Sequence, residues 1–157
     1  MKKSRVQAVL VVVDGVGVLI RGRPGSGKSL AALNLMRQGH KLVSDDLVEV
    51  VRGVDGELWG RSLEEDARIE IRGLGIFNAE KLFPEATASS SRIDFVIDLE
   101  EYDPGIDAGR IVPETGKTDF LGKNILTVRV PVLTGQDLFI IIELLAKRFK
   151  ESGSVNP

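Results

Sequence analysis

Gly22-Arg23-Pro24-Gly25-Ser26-Gly27-Lys28-Ser29 is the stretch whose reading decides the fold. It has the form Gly-x4-Gly-Lys-Ser, the pattern of a phosphate-binding P-loop. Gly22, Gly25 and Gly27 lack a Cβ, so the backbone there can take positive φ and approach a ligand closely. Successive N–H groups, including that of Ser26, then form an anion nest. Lys28 is expected to reach β- and γ-phosphates, and the Ser29 hydroxyl to ligate Mg²⁺. Such a loop opens a helix, whose N-terminus favours negative charge.

The flanks fit that reading. A P-loop follows a strand and precedes a helix. Val16-Gly17-Val18-Leu19-Ile20 is a short β-branched run. After the loop, Leu30, Leu33 and Met36 recur at helical spacing, and Gly39 stands where a C′ glycine stops a helix. Upstream, residues 7–13 read as one strand joined to the P-loop strand by Asp14-Gly15, a two-residue hairpin signal. The first two strands are therefore expected to be antiparallel, which makes this an α/β chain with a mixed sheet.

Working outward, residues 41–43 form a strand that ends at Ser44-Asp45-Asp46, and residues 47–60 a hairpin turning at Asp55-Gly56. Ile69-Glu70-Ile71-Arg72 alternates apolar and charged residues, as a half-buried strand does. A short helix is expected over 76–83 and a strong strand over 93–99. Residues 102–118, rich in Gly and Pro, read as a long loop. A strand is expected over 125–130 and an amphipathic helix over 138–149, with Leu138, Ile141, Ile142, Leu145 and Phe149 on one face. The organisation is a single domain over 1–150 and a flexible tail over 151–157.

Composition narrows the function. The chain has 157 residues, 43% of them hydrophobic and 28% charged, which suits one globular domain. A formal net charge of −2 gives no electrostatic reason to expect nucleic acid or an anionic membrane as partner. With no cysteine and one histidine, neither a disulfide framework nor a structural zinc site is expected. No stretch has the length of a membrane span, and a cytoplasmic location is expected.

Phosphate chemistry needs a metal partner and a proton acceptor. Asp45 and Asp46 leave a strand end, the edge at which open α/β sheets bind ligands. One carboxylate can complete a Mg²⁺ shell with Ser29, and the other can accept a hydroxyl proton. Glu70 and Arg72 face away from Ile69 and Ile71, towards either the site or solvent. His40, next to Gly39, is expected to bond a terminal helix carbonyl.

Four stretches carry a family resemblance: residues 15–29, Arg-Gln-Gly-His-Lys-Leu-Val-Ser-Asp-Asp (37–46), Glu-Ile-Arg-Gly-Leu-Gly-Ile-Phe-Asn (70–78), and Ile-Ile-Glu-Leu-Leu-Ala (141–146). In order and spacing they resemble the C-terminal catalytic domain of the bacterial HPr serine kinase/phosphorylase family, in a short form that lacks the N-terminal domain. The resemblance implies a fold akin to phosphoenolpyruvate carboxykinase, a hexamer, and ATP-dependent phosphorylation of a serine on the phosphocarrier HPr of the sugar phosphotransferase system. It implies Lys28 and Ser29 at phosphate and Mg²⁺, Asp45 as acid/base on the serine hydroxyl, and Asp46 and Glu70 near the metal. The chain departs from the family at three places. Gln7 stands where a His is common and cannot hold a proton at neutral pH. Asp107-Ala108 replaces Asp-Arg, with Arg110 as a substitute guanidinium. Gly135-Gln136-Asp137 replaces Gly-Arg-Asn. These departures argue against the phosphorylase direction. They also leave two alternatives: a kinase on the same fold with another hydroxyl acceptor, small molecule or protein, and a non-catalytic nucleotide-binding regulatory module.

Overall fold

The computed structural model describes residues 2–157. The apolar run expected as one strand over 7–13 is in fact the end of one strand and the whole of another. β1 (Lys3–Gln7) and β2 (Val9–Val13) are separated at Ala8, whose N–H donates to the Asp46 carbonyl at 2.9 Å, and they enter different sheets. β3 (Val16–Arg21) pairs antiparallel with β2 across Asp14-Gly15, both at positive φ (52° and 80°) as a type I′ hairpin turn requires. Next come α1 (Lys28–Arg37), β4 (Lys41–Ser44), and the β5 (Leu47–Arg52) and β6 (Leu58–Ser62) hairpin. β7 (Arg68–Ile71), β8 (Gly75–Asn78), α2 (Ala79–Leu82), β9 (Ser90–Arg92), β10 (Phe95–Glu101) and α3 (Pro104–Asp107) follow. β11 (Glu114–Phe120), β12 (Lys123–Val132) and α4 (Leu138–Ser152) complete the chain.

The main sheet has the order β11-β12-β10-β3-β2-β4. β10 runs parallel to β3 and to β12, whereas β2 is antiparallel to both β3 and β4, so the sheet is mixed, as expected from the hairpin. Two antiparallel steps return β4 to the direction of β3. The C-terminal ends of β3, β4, β10 and β12 therefore share one edge, and the P-loop, Asp45-Asp46 and the loop 133–137 all leave from it.

Both faces of the central strands are covered. Val9, Val11, Val13, Val18, Ile20, Phe95, Ile97 and Leu99 point towards α1 and α4, where Leu35, Met36, Ile142, Leu145 and Ala146 meet them. Leu10, Leu19 and Val96 point the other way, against Val48, Val50, Leu58 and Ile93 of the four-stranded sheet β1-β5-β6-β9 and its margin. Two-sided burial is why β2 and β3 read as continuous apolar runs rather than as alternations. Each fully buried side chain such as Phe95, whose ring lies 5.2 Å from that of Phe149, contributes roughly 1.5–3 kcal/mol.

Four expectations are corrected. The helix expected over 76–83 begins only at Ala79; Gly75–Asn78 is β8, paired with β7 around a tight glycine turn. The long loop expected over 102–118 contains α3 and most of β11, which has no apolar periodicity because it is an edge strand largely open to solvent. His40 bonds no helix carbonyl through its ring; its Nε2 meets Glu143 Oε2 of α4 at 2.9 Å. The tail expected to be flexible folds back: α4 runs on to Ser152, Val155 is fully buried, and Arg148 Nη1 donates to the Val155 carbonyl at 2.8 Å.

Candidate functional site

The loop between β3 and α1 is shaped by its glycines. Gly25 and Gly27 sit at φ 84° and 95°, the left-handed region that other residues avoid. Gly22 has ordinary φ but no room: a Cβ there would lie 2.9 Å from the Leu99 Cβ and 3.0 Å from Ser26 Oγ. The Ser26 N–H closes a turn on the Arg23 carbonyl at 3.1 Å, and Gly27 caps α1, whose first turn carries no acidic residue. The helix N-terminus thus keeps its free N–H groups and positive dipole end for an anion.

Lys28 folds back over this loop. Its Nζ donates to the carbonyls of Gly22 at 2.6 Å and Arg23 at 3.0 Å, and to Ser26 Oγ at 3.3 Å. Burial lowers its pKa from the ordinary value, against the opposing charges of Asp45 and Asp46. Ser29, one residue on, donates from Oγ to Asp45 Oδ1 at 2.8 Å. The Glu70 N–H donates to Asp45 Oδ2 at 3.1 Å, so both oxygens of this carboxylate are held. Burial nonetheless outweighs these two bonds and pushes the Asp45 carboxyl up to about 6.

β7 behaves as its alternation predicts. Ile69 and Ile71 are buried, and Glu70 and Arg72 face out, into a cavity of about 690 Å³ that the P-loop, Asp45 and Asp46 also line. The Arg72 guanidinium lies beside Gly25: Nη1 is 2.9 Å, Cζ 3.6 Å and Nη2 4.0 Å from where a Gly25 Cβ would stand. The same cavity takes in Gln7 at the end of β1. Gly22, Gly25, Gly27, Lys28, Ser29, Asp45, Asp46 and Glu70 therefore surround one space, although they come from three separate stretches of chain. Ser26 lies on the neighbouring side of the loop.

The hydroxyl of Ser29 pairs with Asp45 and not with Asp46, which is exposed. Among the described residues no group of three or more His, Cys, Asp or Glu gathers as a metal cage. A hydroxyl and one or two carboxylates are nevertheless the oxygen donor set Mg²⁺ uses when substrate phosphates and water fill the remaining positions. The residues present fit that ion.

Other positions singled out in the sequence fall elsewhere. Asp107 is buried and faces Arg129, with which its carboxylate is paired while also accepting the Asp103 N–H at 2.7 Å. Ala108 and Arg110 are exposed and do not line the cavity, so Arg110 supplies no guanidinium there. Gln136 and Asp137 border a second depression on the far side of the P-loop. Sequence reasoning gave Arg72 no task, although its phase with Glu70, one residue past the end of β7, is the signal that identifies it. The role of Arg129, gathering Glu100, Asp107 and Glu114, had no local signal.

Among the described residues, no helix is long and apolar enough to cross a membrane.

Comparison with known proteins agrees with this geometry. The family model described as HPr Serine kinase C-terminal domain matches residues 1–155. A relative from Geobacillus sp. (strain WCH70), named HPr kinase/phosphorylase, is 43% identical over 149 residues, covering 94% of this chain and 48% of the relative. One of the same name from Clostridium perfringens (strain SM101 / Type A) is 35% identical over 159 residues, covering 99% of this chain and 52% of the relative. The chain thus spans about half the length of the curated relatives it matches. A solved structure, the Hpr(Ser) kinase/phosphatase from Coxiella burnetii, superposes with a TM-score of 0.85 at 30% identity, over 96% of this chain and 93% of that one. With a mixed α/β fold that matches nearly end to end and a family model that spans almost every residue, this chain belongs to the HPr serine kinase C-terminal domain family.

Proposed function

We propose that this chain is an ATP- and Mg²⁺-dependent kinase that transfers the γ-phosphoryl group to a serine hydroxyl of HPr or a similar phosphocarrier protein. The observation that carries the reading is Asp45: a carboxylate held at both oxygens, beside Lys28 and the P-loop, with its pKa pushed up to about 6. That value lies close to working pH, where a group that must take up and release a proton is most effective.

The residues divide the work as follows. Backbone N–H groups of Gly25 to Ser29 hold the phosphate chain, and Lys28 exchanges its contacts with the Gly22 and Arg23 carbonyls for β- and γ-phosphate oxygens. Arg72, beside Gly25, adds positive charge where the transferring group carries its negative charge. Asp45 accepts the serine hydroxyl proton as the hydroxyl oxygen forms its bond to the γ-phosphorus. The bond from that phosphorus to the β–γ bridging oxygen breaks, and ADP leaves with the electron pair. Ser29, with Glu70 and Asp46, would hold Mg²⁺, which would supply neutralisation of phosphate charge.

In the reverse direction, the position that would handle a proton beside the first strand is Gln7, which has no titratable group. The reading is therefore a kinase with weak or no phosphorylase activity. It carries with it a cytoplasmic setting and a hexamer. Exposed Ile106, Ile111 and Val112, unpaired apolar side chains on one surface segment, support an interface between subunits. The direct test is phosphoserine formation on purified HPr with ATP and Mg²⁺. No phosphoserine on HPr, with ATP turnover that responds to another hydroxyl compound, would replace HPr by that acceptor.

A further inference from the structure

The last residue of β3 carries a charge on a face that is apolar one step earlier. Arg21 shares the face of Gly17 and Leu19, and Leu19 is fully buried. Its guanidinium forks onto Asp98 of β10: Nε donates to Oδ1 at 2.7 Å and Nη2 to Oδ2 at 2.9 Å. Nη2 also donates to Thr118 Oγ1 of β11 at 3.2 Å. Thr118 and Thr127 of β12 share a hydroxyl bond at 2.7 Å. Because Thr127 Oγ1 donates its proton to the Ile125 carbonyl at 3.3 Å, Thr118 is the donor between them. The guanidinium stands 5.7 Å from the centre of the Phe120 ring. One side chain thus ties β3 to β10 and β11 and, through Thr118, to β12.

This knot lies at the root of the P-loop. The Arg21–Asp98 rung is the last between β3 and β10, β2 pairs with β3 only as far as Ile20, and Gly22 then opens the loop. Beyond the rung β10 continues beside β12 as far as Glu101, so the fork marks the end of the sheet's hold on β3. Gly22 has to sit closely against the next residue of β10: a Cβ there would lie 2.9 Å from the Leu99 Cβ. Its carbonyl is also where Lys28 Nζ rests, at 2.6 Å. A shift at the end of β3 would therefore move both the loop and its lysine. Neither Arg21 nor Asp98 lines the larger cavity or the second depression, so the pair touches no ligand held in either. The two side chains are 29% and 28% exposed. An ion pair this open to water contributes little stability, and apolar residues of similar volume can replace one. What apolar residues cannot supply is the fixed orientation of a two-bond fork.

We propose that Arg21 is a positioning residue: its fork on Asp98 fixes the root of the P-loop, and with it Gly22 and Lys28, against β10. The inference concerns the loop itself, and only its effect on phosphoryl transfer rests on the kinase reading above.

The test compares wild type with Arg21→Met/Asp98→Leu, which leaves the net charge unchanged and fills the space with apolar side chains. Urea denaturation is expected to give a stability close to that of wild type. Arg21→Lys, which keeps the charge and loses the fork, supplies the same comparison if the double variant does not fold. Hydrogen–deuterium exchange of the ligand-free chain is read over residues 22–31, where the Ser26 N–H bonds the Arg23 carbonyl and the Ala31 N–H that of Gly27. Exchange there should be roughly tenfold faster in the variants, with β2 and α4 unchanged. Single-turnover transfer from labelled ATP to HPr should fall by up to about 10²-fold, as for a small misplacement of reacting groups. Residues 22–31 exchanging as in wild type would overturn the positioning role, whatever the transfer rate. Faster exchange throughout the chain in both variants would make the pair a structural support and overturn it as well, as would transfer at the wild-type rate. Faster local exchange in a chain whose wild type transfers phosphate to no protein serine would leave the positioning role standing and remove the kinase reading.

Discussion

Replacing Asp45 by Asn separates chemistry from stability. Asn is isosteric, and it keeps both local bonds: its Oδ1 can accept the Glu70 N–H, and its amide can donate to Ser29 Oγ. The ordinary carboxyl titrates near 3.8 and the folded one near 6, so the folded chain binds this proton more tightly than the unfolded chain. Stability from this group is present at low pH and is lost as pH rises between those two values, and at neutral pH the ionised carboxylate carries the whole penalty. A difference of about two pH units corresponds to about 3 kcal/mol, at about 1.4 kcal/mol per unit. Asp45 is partly open to the cavity, and screening there leaves about 1 to 2 kcal/mol. Asp45→Asn should therefore raise the unfolding midpoint at pH 7.5 by roughly 2 to 8 °C. The gain should shrink towards pH 4, where the wild-type carboxyl is protonated. Meanwhile phosphoryl transfer should fall by about 10²- to 10⁴-fold, as loss of a proton acceptor does. Scanning calorimetry between pH 4 and 8 and single-turnover transfer from labelled ATP measure the two halves. A variant less stable than wild type at neutral pH would make Asp45 a structural group. Full retention of transfer would refute the proton-acceptor role.

Other predictions follow from the same geometry. The kcat/KM for transfer should drop about tenfold per unit as pH falls below about 6 and Asp45 becomes protonated, and this limb should be missing from the residual activity of Asp45→Asn. Lys28→Ala should weaken ATP binding by at least tenfold in equilibrium titration, because it removes the charged donor folded over the loop; unchanged affinity would dissociate the loop from phosphate. Arg72→Gln should lower kcat by about 10²-fold or more and leave ADP affinity within about twofold, since the guanidinium beside Gly25 is proposed to face the transferring group; an equal loss for ATP and ADP would make it a ground-state contact. Val155→Ser should cost about 1 to 2 kcal/mol in urea denaturation, as the side chain is fully buried, and a neutral result would mean that the terminal segment does not pack as described.

Much of this was legible in the chain. The Gly-x4-Gly-Lys-Ser spacing located the loop, the Asp14-Gly15 hairpin predicted the mixed sheet, and the alternation in Ile69-Glu70-Ile71-Arg72 gave the inward and outward faces of β7. What failed did so for physical reasons. Ile76 and Phe77 look like the start of an apolar helix, but pairing with β7 across the 71–75 turn keeps them extended, and a local pattern carries no record of its strand partner. β11 hides among glycine and charge because an edge strand needs neither an apolar face nor strong propensity once β12 supplies its hydrogen bonds. His40 and Glu143 are over a hundred positions apart, so their pairing depends on how α1 and α4 cross. The second depression draws on residues from both ends of the chain, and Leu30 read only as part of a helix face.

The central claim is phosphoryl transfer to a protein serine with Asp45 as the proton acceptor. Its most direct measurement is the fate of γ-labelled ATP incubated with Mg²⁺, purified HPr and either wild type or Asp45→Asn. The account predicts label on an HPr serine with wild type and a loss of about 10²-fold or more in the variant. Label that stays on intact ATP with wild-type protein would contradict it and leave a nucleotide-binding module.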